Sequence, residues 1–496
     1  MTSLPQTFTA EDYANRIPEG CGVVGIYNHP QAAQLAYLAL YSMQHRGQES
    51  AGIAAFDGTR INLHKGQGLV SEVFKPADVA KLPGNVAIGH VRYSTTGSSS
   101  LYNAQPLLAN YRGGHICIAH NGNLTNADEL ARNLEANGAI FQSTTDSELL
   151  IHLIAQNRSE SFDEALATSA KRLHGAFSMT LLRDGELYAI KDRFGFRPLC
   201  IGTLGENSWI VASESCALDI VGATFLRELQ PGEVISFRDG DIDKQVMIEP
   251  AKPAASCVFE LIYYSRPDSI AAGTNIYKYR RRLGEELARE HPANADVVIA
   301  VPDSSNGAAV GFAAKSGIPM EFGLVRSHYV GRTFIKPDQS SRDFGAKMKY
   351  NTVREVIKDR RVVVVDDSVV RGTTAKKILR MIRDAGAKEI HFRVSAPPWK
   401  HPCFYGIDTP DEDQLLANQM TMEQMREYFE VDSLGFISVE GLMKAVPPTM
   451  SYCTTCFTGR YIDGRPRRST KFLDGRPPED DKPGAATKSK KEARAC

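Results

Sequence analysis

Apolar positions follow two patterns along the chain, and the change comes at the Pro- and Ala-rich stretch Pro250–Ala255. Beyond it, ADVVIAVPDSSNGAAVGFAAKSG and RRVVVVDDSVVRGTTAKKILRMIRDAGA each read as strand, loop and helix. The four successive valines Val362–Val365 have the continuous apolar character of a strand buried on both faces, so repeated units of this kind predict a parallel sheet with crossover helices. Before Pro250 the apolar runs are short and broken by turns. CGVVGIYNH from Cys21 is a strand pattern, and AFSMTLLRDGELYAIKDRFGFRPLCIG contains a hairpin marked by Asp184-Gly185. The polar residues before Cys21 and the stretch RPPEDDKPGAATKSKKEARAC lack any such pattern, and the second has the composition of a disordered tail. The expected divisions are 1–20, 21–250, 251–462 and 463–496.

The polar loop after the valine strand carries the first chemistry. Asp366-Asp367-Ser368 and Arg371-Gly372-Thr373-Thr374 lie between strand and helix, where free backbone N–H groups and the helix dipole attract an anion. Gly372 allows close backbone approach and the hydroxyls add donors, which suits a phosphate. Asp366 and Asp367 would repel it, so they are expected to face sugar hydroxyls or a magnesium ion.

With 496 residues, the chain exceeds what one core usually organises. Lys+Arg and Asp+Glu both number 58, so net charge gives no reason to expect nucleic acid or an acidic membrane as a partner. The first twenty residues lack a basic start and an apolar core, and no apolar run reaches 18 residues, so neither secretion nor a membrane span is expected. Nine cysteines spread over this length fit reduced thiols or a metal site in the cytoplasm.

Cys21 follows a polar leader that looks detachable. Cleavage after Gly20 would leave the thiol on the same residue as an α-amine with a reference pKa of about 7.7 to 8.0, a base near neutrality. The motifs downstream are Gln44–Gly52 (QHRGQESAG), Gly89–Thr95 (GHVRYST), His120-Asn121-Gly122-Asn123 and Thr145-Asp146-Ser147-Glu148. With Cys21-Gly22 this series closely resembles the class II glutamine amidotransferases, whose N-terminal nucleophile domain would cover about Cys21 to Glu233. The resemblance implies an αββα sandwich in which Cys21 attacks the side-chain amide of glutamine. It also implies Arg92 on the substrate α-carboxylate, Asp146 on its ammonium, and Asn121 with Gly122 as the oxyanion hole. His45, His90 and His120 are not spaced as metal ligands and read as structural or supporting groups.

In the second half, VVVVDDSVVRGTT resembles the signature of type I phosphoribosyltransferases. The implied substrate is phosphoribosyl pyrophosphate, with Arg371–Thr374 (including Gly372 and Thr373) on the 5-phosphate and Val301–Ser305 as the pyrophosphate loop. The implied fold class is therefore an α+β N-terminal-nucleophile sandwich followed by an α/β phosphoribosyltransferase domain. Joined in one chain from Cys21 to about Gly459, the two halves resemble the glutamine phosphoribosylpyrophosphate amidotransferase family of purine synthesis. Tyr329–Ile335 matches the family's closing loop, and Arg332, Lys336, Arg342, Lys347 and Lys349 suit a lid over an anionic substrate. Arg326-Ser327-His328-Tyr329 departs from the usual Lys-Asn-Arg-Tyr, so the usual arginine's contact does not carry over. One Mg²⁺ per subunit is expected near Ser304, Asp366 and Asp367, with Ser368 among the sugar-facing groups.

Cys257, Cys403 and the pair Cys453-Thr454-Thr455-Cys456 form a CxxC with two distant thiols. By spacing alone this fits tetrahedral zinc or a [4Fe–4S] cluster. Their contexts resemble the cluster-bearing branch of the family, which implies one [4Fe–4S] cluster per subunit and a removed leader. Cys117, Cys200 and Cys216 lie in apolar contexts and read as inert, and Cys496 as a free thiol. The family is further associated with a homotetramer and with inhibition by purine nucleotides. Two other readings are a glutaminase feeding a different acceptor, opposed by Val362–Thr374, and a nucleotide-sensing DNA-binding regulator. The second is opposed by the balanced charge and the intact Cys21, Arg92, Asn121, Gly122 and Asp146 set.

Overall fold

The computed structural model describes residues 20–93, 100–327, 350–409, 411–448 and 450–465. Among these, the first half forms two antiparallel sheets packed face to face. One has the order β11-β9-β10-β1-β4-β2-β3 and the other β13-β12-β8-β7-β6-β5. The strands of the first are β1 (Gly22–Tyr27), β2 (Ser50–Phe56), β3 (Ile61–Gln67), β4 (Val86–Arg92), β9 (Cys200–Thr203), β10 (Trp209–Ala212) and β11 (Thr224–Glu228). Those of the second are β5 (Leu107–Tyr111), β6 (Gly114–Leu124), β7 (Gly175–Arg183), β8 (Glu186–Lys191), β12 (Glu233–Arg238) and β13 (Asp241–Met247).

The layering follows from strand alternation. On β1, Val23 and Tyr27 enter the core between the sheets, whereas Val24 and Ile26 face the core under helix Ala32–Ser42. The outer face of the second sheet is covered by helices Ala127–Ala136, Glu148–Gln156 and Phe162–Ala170, which completes the expected αββα sandwich. Asp184 and Gly185 both have positive φ, 47° and 89°, and join β7 to β8 as a two-residue hairpin.

In the second half, β17 (Val297–Ala300), β20 (Arg361–Asp366), β21 (Glu389–Val394) and β22 (Ser433–Phe436) form a parallel sheet in the order β17-β20-β21-β22. Val362 and Val364 pack into one core and Val363 and Val365 into another, so the valine run is buried on both faces as its sequence predicts. Helix Asn306–Ser316 follows β17 and helix Thr373–Asp384 follows β20. Three short pairings surround this sheet: β15 (Ile270–Ala271) with β16 (Thr274–Asn275), β18 (Leu324–Arg326) with β19 (Tyr350–Thr352), and β14 (Ser256–Cys257) with β23 (Tyr452–Cys453). The last joins the beginning and the end of the second half in parallel register. Pro250–Ala255 lies back on the first half, where Ala251 and Ala255 N–H groups donate to Arg193 and Phe194 carbonyls at 2.8 Å.

Candidate active site

Cys21 stands at the start of β1, beside the end of β4, and is 7% exposed. Its Sγ–H donates to the Tyr93 carbonyl at 3.3 Å. Burial pushes the thiol pKa up, and Glu49 and Asp146 add to this against the opposing pull of Arg92. The resting group is thus a neutral thiol that needs a base. Arg92, also buried, feels Cys21, Glu49 and Asp146, so these four side chains share one electrostatic neighbourhood. Asp146 accepts the Leu124 N–H at 2.8 Å and lies 3.5 Å from His120 Nδ1. Burial raises its pKa, but His120, the Leu124 N–H and Ser147 outweigh that and hold the carboxyl below its ordinary value.

Asn121 is fully buried, and among the described residues neither its Oδ1 nor its Nδ2 finds a hydrogen-bond partner. Leaving an amide in that state is costly unless something else occupies the space beside it. A Cβ on Gly20 would lie 3.9 Å from Asn121 Oδ1, so the residue before the thiol adjoins this amide. Gly122 has φ +150°, and a Cβ there would fall 2.0 Å from the Ala176 carbonyl oxygen, so only glycine fits. The arrangement can bind a charged amino acid and set unmade hydrogen bonds beside a thiol.

The histidines serve as supports. His90 Nε2 and the His120 carbonyl are 2.9 Å apart, and burial pushes the His90 pKa down to about 3, so its ring is neutral. His120 Nδ1 lies 3.0 Å from Ser147 Oγ, and His45 Nε2 lies 2.7 Å from Glu214.

At the C-terminal end of β20, Asp366 and Asp367 are buried side by side. Burial, then the neighbouring Asp367, raises the Asp366 pKa well above its ordinary value. Asp367 is raised by burial against Ser304, Ser368 and Arg280. The Ser304 and Ser368 hydroxyls donate to Asp367, and Ser305 Oγ donates to Asp366 at 3.3 Å. Gly372 caps helix Thr373–Asp384 with φ +77°, and Arg371 Nη2 donates to Gln414 at 2.8 Å. Two acidic groups beside a helix N-terminus, with Thr373 and Thr374 in its first turn, suit a phosphorylated sugar that brings a cation. Arg332, Lys336, Arg342, Lys347 and Lys349 lie outside the described residues.

The four cysteines converge across the β14–β23 pairing, where Cys257 and Cys453 are register partners. Cys403 packs against the same cores, and Tyr405 N–H donates to its Sγ at 3.3 Å. Burial, reinforced by neighbouring cysteines, pushes Cys257 up to about 12, Cys453 up to about 11 and Cys456 well above its ordinary value. Among the described residues, however, no three His, Cys, Asp or Glu side chains are arranged as a metal-holding set, so the expected ligand set is met only as a convergence of thiols. Protonated thiols have no charge to draw them around one point. Cys117, Cys200 and Cys216 are buried with raised pKa values, as inert core thiols would be. Cys496 lies outside the described residues.

Of the groups that join the halves, the sequence singles out the Arg193–Pro198 segment as a contact with the second half, which Arg197 makes, and misses Arg46, Glu214 and Glu260. Arg46 is fully buried and donates to Glu214 of the first half and, at 2.6 Å, to Glu260 of the second. Arg197 donates to Glu260 at 2.9 Å and to the Tyr405 carbonyl at 3.0 Å. Glu214 in turn accepts from Ser269 Oγ at 2.7 Å and the Arg266 N–H at 2.9 Å. A charged residue inside the otherwise apolar CVFELIYY was the available signal.

Comparison with known proteins agrees with both halves. A glutamine amidotransferase domain family matches residues 90–219 and a phosphoribosyl transferase domain family matches residues 267–405. Amidophosphoribosyltransferase 2, chloroplastic, of Arabidopsis thaliana is 47% identical over 481 residues, covering 95% of this chain and 86% of the relative. The amidophosphoribosyltransferase of Bacillus subtilis is 46% identical over 449 residues, covering 89% and 94%. Among solved structures, the B. subtilis glutamine phosphoribosylpyrophosphate amidotransferase complexed with ADP and GMP superposes with a TM-score of 0.84 at 45% identity, covering 89% of this chain and 97% of that one. Identity at this level across nearly the whole length leaves a single family: the chain belongs to the amidophosphoribosyltransferases.

Proposed function

We propose that Cys21, Asn121 and Gly122, with Arg92 and Asp146, carry the glutamine half of the family's reaction, and that the loop from Asp366 to Thr374 carries the acceptor half. The enzyme converts glutamine, phosphoribosyl pyrophosphate and water into 5-phosphoribosylamine, glutamate and pyrophosphate, the first step of purine biosynthesis. Cys21 Sγ forms a bond to the amide carbon of glutamine, and the carbon–nitrogen bond breaks to release ammonia. Water then cleaves the thioester to glutamate. The amide of buried Asn121, unpartnered among the described residues, is the observation that carries this reading: it supplies a donor for the developing oxyanion. Arg92 and Asp146 orient the substrate by its carboxylate and ammonium.

Because burial keeps Cys21 a neutral thiol, removal of residues 1–20 is part of the proposal, the freed α-amine serving as base. Residues 1–19 lie outside the described residues. In the acceptor half, ammonia attacks the anomeric carbon as its bond to pyrophosphate breaks. Asp366 and Asp367, with Ser304, would hold Mg²⁺, which supplies charge neutralisation on the leaving group. Arg371, Gly372, Thr373 and Thr374 cradle the 5-phosphate and Ser368 faces the sugar, while Arg332 and Lys336, outside the described residues, add positive charge for the same anionic substrate.

Cys257, Cys403, Cys453 and Cys456 would hold a [4Fe–4S] cluster whose contribution is structural, stapling β23 to β14. The division at residues 250 and 462, a homotetramer, inhibition by purine nucleotides and a cytoplasmic location complete the reading. On location, the Arabidopsis relative is chloroplastic, and among the described residues no helix is long and apolar enough to cross a membrane.

The Cys21→Ala variant tests the division of labour. Glutamine-dependent formation of phosphoribosylamine should fall by about a thousandfold or more, while the ammonia-dependent reaction persists. Loss of both in a folded variant would contradict it.

A further inference from the structure

The segment Asn121–Asn123 is held on one side by its own sheet and on the other by a turn that belongs to the second half of the chain. Across β6 and β7, Asn121 pairs with Ser178 and Gly122 with Phe177. On the opposite side stands the turn Cys403-Phe404-Tyr405-Gly406. Asn123 Nδ2 donates to the Phe404 carbonyl at 2.9 Å. Gly406 has φ +92°, and a Cβ there would lie 3.0 Å from both Cα and C of Gly122 and 3.0 Å from Arg197 Nη2. Two glycines thus meet with no side chain between them, and the backbone of Gly122 is seated directly on the second half.

The turn is itself firmly held. Arg197 Nε donates to the Tyr405 carbonyl at 3.0 Å, and the Tyr405 ring stacks on Phe196 with centroids 4.4 Å apart and planes at 12°. Cys403 closes it from within: its N–H donates to Thr409 Oγ1 at 2.8 Å and its Sγ accepts the Tyr405 N–H at 3.3 Å. Oxyanion donors act only when held within a few tenths of an ångström of the place where charge develops. Gly122 has no side chain to anchor it, so its position is set by what packs on either side.

We infer that the Cys403–Gly406 turn is a working part of the glutaminase site, and that Gly406 and Asn123 are positioning residues that fix the Asn121–Gly122 segment for release of ammonia. The inference rests on the reading of Asn121 and Gly122 as oxyanion donors. It also makes the glutamine site composite, since neither half alone presents both the thiol and the surface against which its oxyanion segment is set.

Steady-state kinetics on the full chain with Gly406→Ala, Asn123→Ala and Asn121→Ala tests it. Gly406→Ala should lower kcat for glutamine about tenfold or more with KM for glutamine little changed, and Asn123→Ala should do the same more mildly. Both should keep their ammonia-dependent activity, which also reports that the second half is folded. Unchanged glutamine kcat in both variants would overturn the inference. So would equal loss of glutamine- and ammonia-dependent turnover, or a rise in KM alone. If Asn121→Ala leaves kcat intact, the oxyanion reading fails and the inference with it. If Asn121→Ala lowers kcat while Gly406→Ala and Asn123→Ala do not, the inference alone fails.

Discussion

His90 and Cys21 illustrate how burial sets the protonation of single residues here. A histidine whose folded pKa is about 3 against an ordinary 6.5 is protonated in the unfolded chain at pH values where the folded ring stays neutral. The unfolded state then binds more protons, so this residue's stabilisation is complete above about pH 6.5 and declines as pH falls from there toward 3. Thermal midpoints measured between pH 7 and pH 5 should therefore drop less for His90→Gln than for wild type. Parallel pH profiles would show that His90 does not contribute. Cys21 was legible from its neighbouring motifs, because each motif is a run of adjacent residues. What no single residue disclosed is that Asn121 would be buried without partners among the described residues, since burial depends on the second sheet and on the second half of the chain.

At the scale of elements, the strand-loop-helix unit around β20 was almost fully readable. The valine run, the acidic pair and Gly372 are contiguous, and the structure differs mainly in starting the helix at Thr373, earlier than the AKKILRMIRDAG pattern. The role proposed for the same loop comes with a cost in stability. Burial raises the pKa of both carboxyls and Asp367 raises that of Asp366 further, so the pair's ionisation costs more as pH rises through the folded values. Asp366→Asn should thus melt at a higher temperature than wild type at pH 8, with the gap shrinking toward pH 4, while turnover of phosphoribosyl pyrophosphate is lost. A variant that melts lower than wild type at pH 8 would refute this account of the pair. The antiparallel sheets were less legible from pattern alone: their short strands find partners far along the chain, as β1 does with β10 and β4.

For the whole molecule, the joint between halves is a buried ionic network, and beyond the segment of Arg197 the sequence offered little sign of it because Arg46, Glu214 and Glu260 are scattered. Burying charges is unfavourable unless each is paired, so removing one partner strands the others. Glu260→Ala leaves both Arg46 and Arg197 short of a carboxylate and should cost about 3 to 5 kcal/mol. Calorimetry should show the two halves unfolding in separate steps. A single transition within a degree or two of wild type would mean that the apolar contacts alone hold the joint.

The parallel pairing of β14 with β23 has a further consequence for how the enzyme comes into being. Strand β23 and the Cys403–Gly406 turn are synthesised long after the glutaminase sandwich, so a nascent chain on the ribosome carries Cys21 and Asn121 before the surface that seats Gly122 exists. If the turn positions the oxyanion segment as inferred, glutamine hydrolysis reaches its full rate only when translation has delivered the acceptor domain. A half-made enzyme would on that account release ammonia more slowly than the finished one.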